Sequence, residues 1–304
     1  MESNNRLVSV VIPCYNHEKF VQECIESIID QSFKDIELII IDDGSKDNSV
    51  QKIKGLISEC KRRFLRFEFR ARPNKGLCVT LNEAMEWCEG EFIAVTASDD
   101  ISLLNRLSSQ VDFMISHPDV AACSGGVLKI DEKGRLLKEL VLPKPRKYRF
   151  DDILSFSYFM PAPTLFFRSS MLPNKEVFDT RFLIEDFYIL LKLSSMGHAL
   201  YCTDKPLAKY RVHESNMSKK VSLLSDARRD LLSYFSSGPK FRRSLAISDM
   251  IEATQNIPES RGAAIAKLLR VAFMYPKIVL NVRFFRFIIL LFFPRKKVRK
   301  HLSL

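Results

Sequence analysis

Three pairs of adjacent carboxylates stand where chemistry could be done: Asp42-Asp43, Asp99-Asp100 and Glu185-Asp186. The middle pair closes the run Glu91-Phe-Ile-Ala-Val-Thr-Ala-Ser-Asp-Asp100, whose residues Phe92 to Thr96 read as a short buried strand. Bare carboxylates at the end of such a strand repel each other and lose hydration. A divalent cation removes that cost, and hard oxygen ligands suit Mg2+ or Mn2+. The competing explanation is a solvated turn or a helix cap, for which Asp and Ser are equally suited. Glu185-Asp186 precede an apolar helical stretch, where a carboxylate can accept a proton from a substrate hydroxyl or simply complement the helix dipole. His17 is a loop residue at a helix start, with a structural reading as well as a catalytic one. Arg72 and Lys75 are placed either to meet a phosphate or to stay solvated.

The elements that must position these groups alternate strand and helix. Leu7 to Pro13 and Ile36 to Ile41 are near-continuous apolar runs, as in parallel strands buried on both faces. Between them, Glu18 to Gln31 carries Phe20, Val21, Cys24, Ile25, Ile28 and Ile29 at helical spacing. A helix over Ser49 to Arg63, a strand over Phe64 to Phe69 and a helix over Thr80 to Cys88 follow, the last after an Asn74-Lys-Gly76 turn. This order predicts a doubly wound α/β sheet. Ligands of open α/β sheets collect at the carboxyl ends of the strands. If the ends carrying Asp42-Asp43 and Asp99-Asp100 share an edge, four carboxylates face one crevice.

Charge separates the chain into two parts. Of 47 Lys and Arg residues, eleven lie beyond Glu259, where there is no acid, so residues 1–259 are formally neutral and the net +11 belongs to the tail. Such a tail suits an anionic membrane surface; no nucleic-acid partner is expected, because the neutral half has no basic face and the tail no recognised motif. Seven cysteines, an odd number without a C-x-x-C pair, point to a reducing compartment and away from a disulfide or zinc framework. Met1 to Arg6 is polar and the apolar run that follows is short, so no signal peptide is expected.

Taken together, Val10-Val-Ile-Pro-Cys-Tyr-Asn16, Ile41-Asp-Asp-Gly-Ser45 with Asp47, Asn74-Lys-Gly-Leu77 with Asn82, and Ser98-Asp-Asp100 resemble the nucleotide-sugar half of family 2 glycosyltransferases. The resemblance covers about the first 106 residues in order and spacing. It implies a GT-A fold, a doubly wound mixed sheet, and transfer with inversion from a nucleotide-diphosphate donor, a UDP-sugar by preference. Pro13, Tyr15, Asn16, Asp42, Asp43, Arg72, Asn74, Lys75, Gly76 and Asp99 are then donor-binding, and Asp99 and Asp100 hold Mn2+ or Mg2+. One departure stands out: Ala97 occupies a position where the family often carries a further Asp.

The second half resembles the family's acceptor half more loosely. Val120 to Ile130 and Leu136 to Leu142 read as strands, and Phe156 to Phe167, with Pro161-Ala-Pro-Thr164, as a mixture of acceptor loop and core. Ile184-Glu-Asp-Phe187 resembles the family's Glu-Asp motif, which implies Asp186, or failing that Glu185, as catalytic base. Tyr210-Arg-Val-His-Glu-Ser-Asn216 resembles the closing segment of the catalytic domain and makes His213 a metal or phosphate ligand. These readings give a catalytic domain over 1–220, divided at 106, and a helical basic region over 221–304. Ile278 to Phe293, with two arginines, falls short of a membrane span and suits a helix lying in the interface, or one packed on the catalytic domain. The resemblance further implies bacterial surface polysaccharide synthesis, O-antigen or capsule, with a lipid-linked saccharide acceptor at the cytoplasmic face of the membrane. The alternative is a non-enzymatic scaffold of a glycan assembly, which Ala97 alone supports.

Overall fold

The structure, a computed structural model, describes residues 6–139, 144–174, 176–217 and 220–302. Packing divides the chain into two units. The first takes residues up to Arg149, Phe159–Arg181 and Glu185–His213; the second takes Phe150–Tyr158, Phe182–Ile184 and everything from Glu214. Two short segments that the sequence assigned to the acceptor half therefore pack with the C-terminal helices.

The first unit is built on β1 (Val8–Cys14), α1 (Val21–Ile29), β2 (Ile36–Asp42), α2 (Ser49–Arg63), β3 (Arg66–Ala71), α3 (Leu77–Trp87) and β4 (Phe92–Val95). There follow β5 (Ile101–Ser102), α4 (Arg106–Ser116), β6 (Val120–Ile130), β7 (Leu136–Glu139), β8 (Arg146–Tyr148), β9 (Phe166–Arg168), α6 (Glu185–Ser195) and β10 (Ala199–Arg211). The short helix α5 (Phe150–Leu154) lies between β8 and β9 and belongs to the second unit. The continuous apolar runs become the buried centre: β2 is buried along its whole length and β1 at every position but Pro13. The sheet runs β3-β2-β1-β4-β9-β6-β10-β5, with β7 on β6 and β8 on β10. Residues from Val8 to Ile40 on the strands meet Val21, Cys24, Ile25 and Ile28 of α1 and Leu107, Val111 and Met114 of α4 in one core.

Strand direction decides what the sheet can position. β1 is parallel to β2 and β4, and β2 to β3. β9 is antiparallel to both β4 and β6, and β10 is parallel to β6. The carboxyl end of β10 thus lies on the same edge as those of β1, β2 and β4. His213, over a hundred residues from Asp99 in sequence, is delivered to the edge that Asp99 occupies.

Several local expectations shift. The third strand starts at Arg66, and α3 starts at Leu77, directly after Gly76 at φ +90°. Of the expected Leu136 to Leu142 strand, Leu136–Glu139 forms β7 and residues 140–142 lie outside the described residues. Phe156 to Phe167 resolves into a 3-10 turn at Ala162–Thr164 and the three-residue β9.

The second unit is helical: α7 (Val221–Phe235), α8 (Gly238–Asn256), α9 (Arg261–Met274), α10 (Val282–Leu291) and α11 (Arg295–Leu302). Its own core joins Ile247, Met250 and Ile257 of the α8 region to Leu268 and Val271 of α9, Ile278, and Phe287 and Leu290 of α10. Among the described residues no helix is long and apolar enough to cross a membrane.

Candidate active site

Two loops at the carboxyl edge are built by the carboxylates that close β2. Asp42 accepts from the Ser45 amide at 2.9 Å and the Ser45 hydroxyl at 2.6 Å. Asp43 accepts from the amides of Lys75 at 2.8 Å and Gly76 at 2.9 Å, and from the Arg72 guanidinium. Asn74 donates to the Asp43 carbonyl at 2.8 Å, and Arg72 also reaches Glu83 at 2.7 Å and Thr80 at 2.9 Å. A side chain at Gly44 would put its Cβ 2.6 Å from the Asn74 amide, so the approach of the two loops needs glycine there. Asn16, at φ +54°, ties the β1 loop to the same structure, donating its amide to Ser45 and accepting from the Lys46 amide, both at 2.8 Å.

Of the four carboxylates at this edge, Asp42 and Asp43 accept from the part-buried loop amides of Ser45, Lys75 and Gly76. Arg72 is held by Asp43, Glu83 and Thr80. The Tyr15 ring and the Lys75 side chain are exposed at this edge, while Pro13 is half-buried.

The second cluster lies past β4. Asp99 Oδ2 and His213 Nε2 are 2.8 Å apart, and His17 Nδ1 is 2.7 Å from Ser98 Oγ. Ligand atoms of His17, Asp99 and His213 lie within 4.8 Å of one another. Burial works to raise the Asp99 carboxyl; the His213 hydrogen bond and the two imidazoles outweigh it, and the group lies below the ordinary value. Burial lowers His17, against the pull of Asp99. Asp100 is driven the other way, well above the usual carboxylate range, by burial and then by the charge of Asp99. Its Oδ1 accepts from the Arg211 amide at 2.8 Å, and its buried Oδ2 has no hydrogen-bond partner among the described residues.

His17, Asp99 and His213 offer ligand atoms within reach of one another, while Asp100, expected with Asp99 and His213 as a ligand, has one oxygen on the β10 backbone. Two imidazoles and one carboxylate fit a divalent ion of intermediate softness such as Mn2+ better than Mg2+, which prefers oxygen. His17 is the residue for which the structure adds a candidate ligand role to the structural reading. Ala97, half-buried, offers no carboxylate of its own to the cluster; its carbonyl accepts from the Cys24 thiol at 3.4 Å.

Two buried arginines that the sequence did not single out hold this edge. Arg211, 1% exposed, donates to the carbonyls of Asp99 at 2.9 Å, Glu132 at 3.1 Å and Asp131 at 3.3 Å, and pairs with Glu23. Its guanidinium stands 4.9 Å from the centre of the Phe20 ring, which is 5.0 Å from that of His213. Arg106 binds Thr96 at 2.9 Å, Ser102 at 3.0 Å and the Val95 carbonyl at 3.1 Å, fixing the end of β4. Arg211 was legible only within the Tyr-Arg-x-His segment; nothing in the sequence marks Arg106.

Glu185 and Asp186 open α6 and are half-buried. Burial, then the Asp186 charge, pushes the Glu185 carboxyl up to about 8. Asp186 Oδ1 accepts from the Phe187 amide at 2.6 Å. The pair lies near the first turn of α3, since burial and then the charges of Glu185 and Asp179 push the Cys78 thiol up to about 12. Asn82 of α3 is clamped to Phe178 by bonds of 2.7 and 2.9 Å. Two carboxyls side by side with their titration pushed apart are the arrangement in which one can serve as acid and the other as base.

A mixed sheet with parallel βα units on one side and a His-Asp-His cluster at its carboxyl edge defines the class: a GT-A nucleotide-sugar transferase. The chain belongs to glycosyl transferase family 2, whose model matches residues 9–172. It is 28% identical over 217 residues to the O-antigen biosynthesis glycosyltransferase WbnJ of Escherichia coli, covering 71% of this chain and 83% of that one. Two solved structures share the fold. The mannosyltransferase PcManGT of Pyrobaculum calidifontis, in complex with GDP-Man and Mn2+, has a TM-score of 0.59 at 14% identity, covering 94% of this chain and 86% of that one. Residues 1–349 of S. aureus TarS, in complex with UDP-GlcNAc, give 0.55 at 19% identity, covering 91% and 76%.

Proposed function

We propose that this glycosyltransferase moves a sugar from a nucleoside-diphosphate donor, a UDP-sugar by preference, to a hydroxyl of a lipid-linked saccharide, inverting the anomeric centre. The setting is bacterial surface polysaccharide synthesis, O-antigen or capsule, at the cytoplasmic face of the membrane. The observation that carries the reading is the His17-Asp99-His213 cluster at the carboxyl edge of the sheet. A divalent ion there, Mn2+ by the donor set, supplies positive charge against the diphosphate leaving group. The Asp43-built loop, with Tyr15 exposed at the same edge, forms the wall against which the nucleotide lies; Asn16 and Gly76 shape it through the backbone. Asp186 takes the proton of the attacking hydroxyl as the new bond forms. Glu185, still protonated near pH 7, keeps a second negative charge away from the incoming nucleophile. The WbnJ relationship supports the polysaccharide setting and the TarS likeness supports UDP. The scaffold reading loses its one support, because His17 offers the ligand that Ala97 lacks.

The test is release of nucleoside diphosphate from a panel of UDP-, dTDP- and GDP-sugars, with Mn2+ and with excess EDTA. One donor hydrolysed only with the metal is expected. No release from any donor with Mn2+ would sink the reading.

A further inference from the structure

The C-terminal helical unit carries apolar surface that its own core does not use. α10 packs against α8; a 3-10 turn at Pro276–Leu280 joins it to α9, and Arg261, at the start of α9, donates to the Phe293 carbonyl just past the end of α10. Each helix spends one face internally, Leu268 and Val271 from α9 and Phe287 and Leu290 from α10. The face left over on an ordinary surface helix is polar. Here it is not. On α10 the exposed side chains Val282, Phe285, Ile289 and Phe292 follow at spacings of three, four and three, which places them on one stripe. On α9, Leu269 and Phe273 stand one turn apart and are also exposed. Phe273 is 88% exposed and Phe292 82%, far more than isolated surface aromatics need be.

The charge that α9 to α11 themselves carry is basic, with Asp249 of α8 within electrostatic reach of Arg270. No acid follows Glu259 in the sequence, and Arg270, Lys277 and Lys296 are exposed. Lys267 and Arg283 drop out of the basic set: the first is bound to Glu252, the second to the carbonyls of Ser155 and Phe156. A second copy of the chain would bring the same positive rim against this one, a repulsive pairing. An anionic bilayer offers hydrocarbon to the stripes and phosphate to the rim.

We propose that the outward faces of α9 and α10 dock on an anionic bilayer. Phe273, Phe285 and Phe292 insert below the headgroups, and Arg270, Lys277 and Lys296 lie at phosphate level. This names the surface that would hold the enzyme beside a membrane-borne acceptor, and rests on the proposed reaction only for that purpose.

Full-length protein is floated with phosphatidylcholine vesicles, with and without phosphatidylglycerol. Wild type should float with the anionic vesicles and much less with the neutral ones. The triple variant Phe273→Ser, Phe285→Ser, Phe292→Ser should partition roughly tenfold less while still melting cooperatively, since Phe273 and Phe292 are almost wholly exposed and Phe285 more than half. In a second measurement, Phe273→Trp should shift its emission to the blue on adding anionic vesicles. Wild type that ignores anionic vesicles, or a triple variant that floats as wild type does, overturns the proposal. So does a wild-type dimer that the triple variant converts to monomer with flotation unaltered. Donor hydrolysis in vesicle-free buffer is scored separately: its absence with flotation intact sinks the reaction and leaves the docking surface standing.

Discussion

At the residue scale, His17 and the Glu185-Asp186 pair carry the sharpest consequences. His17→Gln should raise the Mn2+ needed for half-maximal donor hydrolysis at least ~10-fold. Adding Ala97→Asp to that variant should recover most of the loss, because it returns an oxygen ligand to the same edge. Metal titration of hydrolysis checks both; an unchanged Mn2+ requirement in His17→Gln would leave the imidazole a purely structural role. Asp186→Asn should lower transfer by roughly 10²- to 10⁴-fold with donor affinity kept, as read by transfer assay beside nucleotide titration. Equal loss of donor affinity would make Asp186 a positioning residue. Glu185 yields a stability test. Its folded value, up from 4.5 to about 8, means that the folded protein keeps a proton which the unfolded chain releases. Stability therefore falls as pH rises through that window. Melting temperatures between pH 5 and 9 should decline less steeply in Glu185→Gln than in wild type, and parallel slopes would deny the shift.

At the scale of elements, the parallel half was legible because its signal is local. Apolar runs of strand length, helical spacing from Phe20 to Ile29 and the Asn-Lys-Gly turn each speak for a few adjacent residues. What the carboxylates do was not legible. An Asp after a strand looks alike whether it faces a ligand or holds the amides of a loop thirty residues away, as Asp43 does with Lys75 and Gly76. β9 and β5 were also invisible, since three or two residues carry no period. Arg211 shows how a distant element governs the site. It joins the Asp99 carbonyl to those of Asp131 and Glu132 and to Glu23 of α1, a set that a planar fork reaches and a point charge does not. Arg211→Lys should cost about 2–3 kcal/mol in a urea melt, at ~1 kcal/mol for each bond lost. It should also weaken Mn2+ binding, measured by the metal's paramagnetic resonance, because the Asp99 loop loses its anchor. A variant less stable but with unchanged Mn2+ affinity would confine Arg211 to the core.

At the scale of the molecule, the boundary read from charge and the boundary made by packing differ. Basicity begins after Glu259, which invites the view that the tail can be cut there without harm to what precedes it. Packing opposes this. Ile247, Met250 and Ile257 lie before the cut, and their partners Leu268, Val271, Ile278, Phe287 and Leu290 lie after it. Each large apolar side chain that loses its cover gives up about 1.5–3 kcal/mol, so the helical unit does not survive removal of half its core. A chain ending at Ser260 should bind a dye for exposed apolar surface, lose its cooperative helical melt and aggregate, even though the residues removed hold no site group. The full-length triple serine variant on α9 and α10 should do none of these things, because Phe273, Phe285 and Phe292 stand outside the buried set of that core. Dye binding and circular dichroism on the two proteins side by side separate the faces of the same helices, one folding the unit and one turned outward. A Ser260 truncation that stays monomeric, melts cooperatively and shows no dye binding would mean that the C-terminal helices are an appendage after all, free of the core assigned to them.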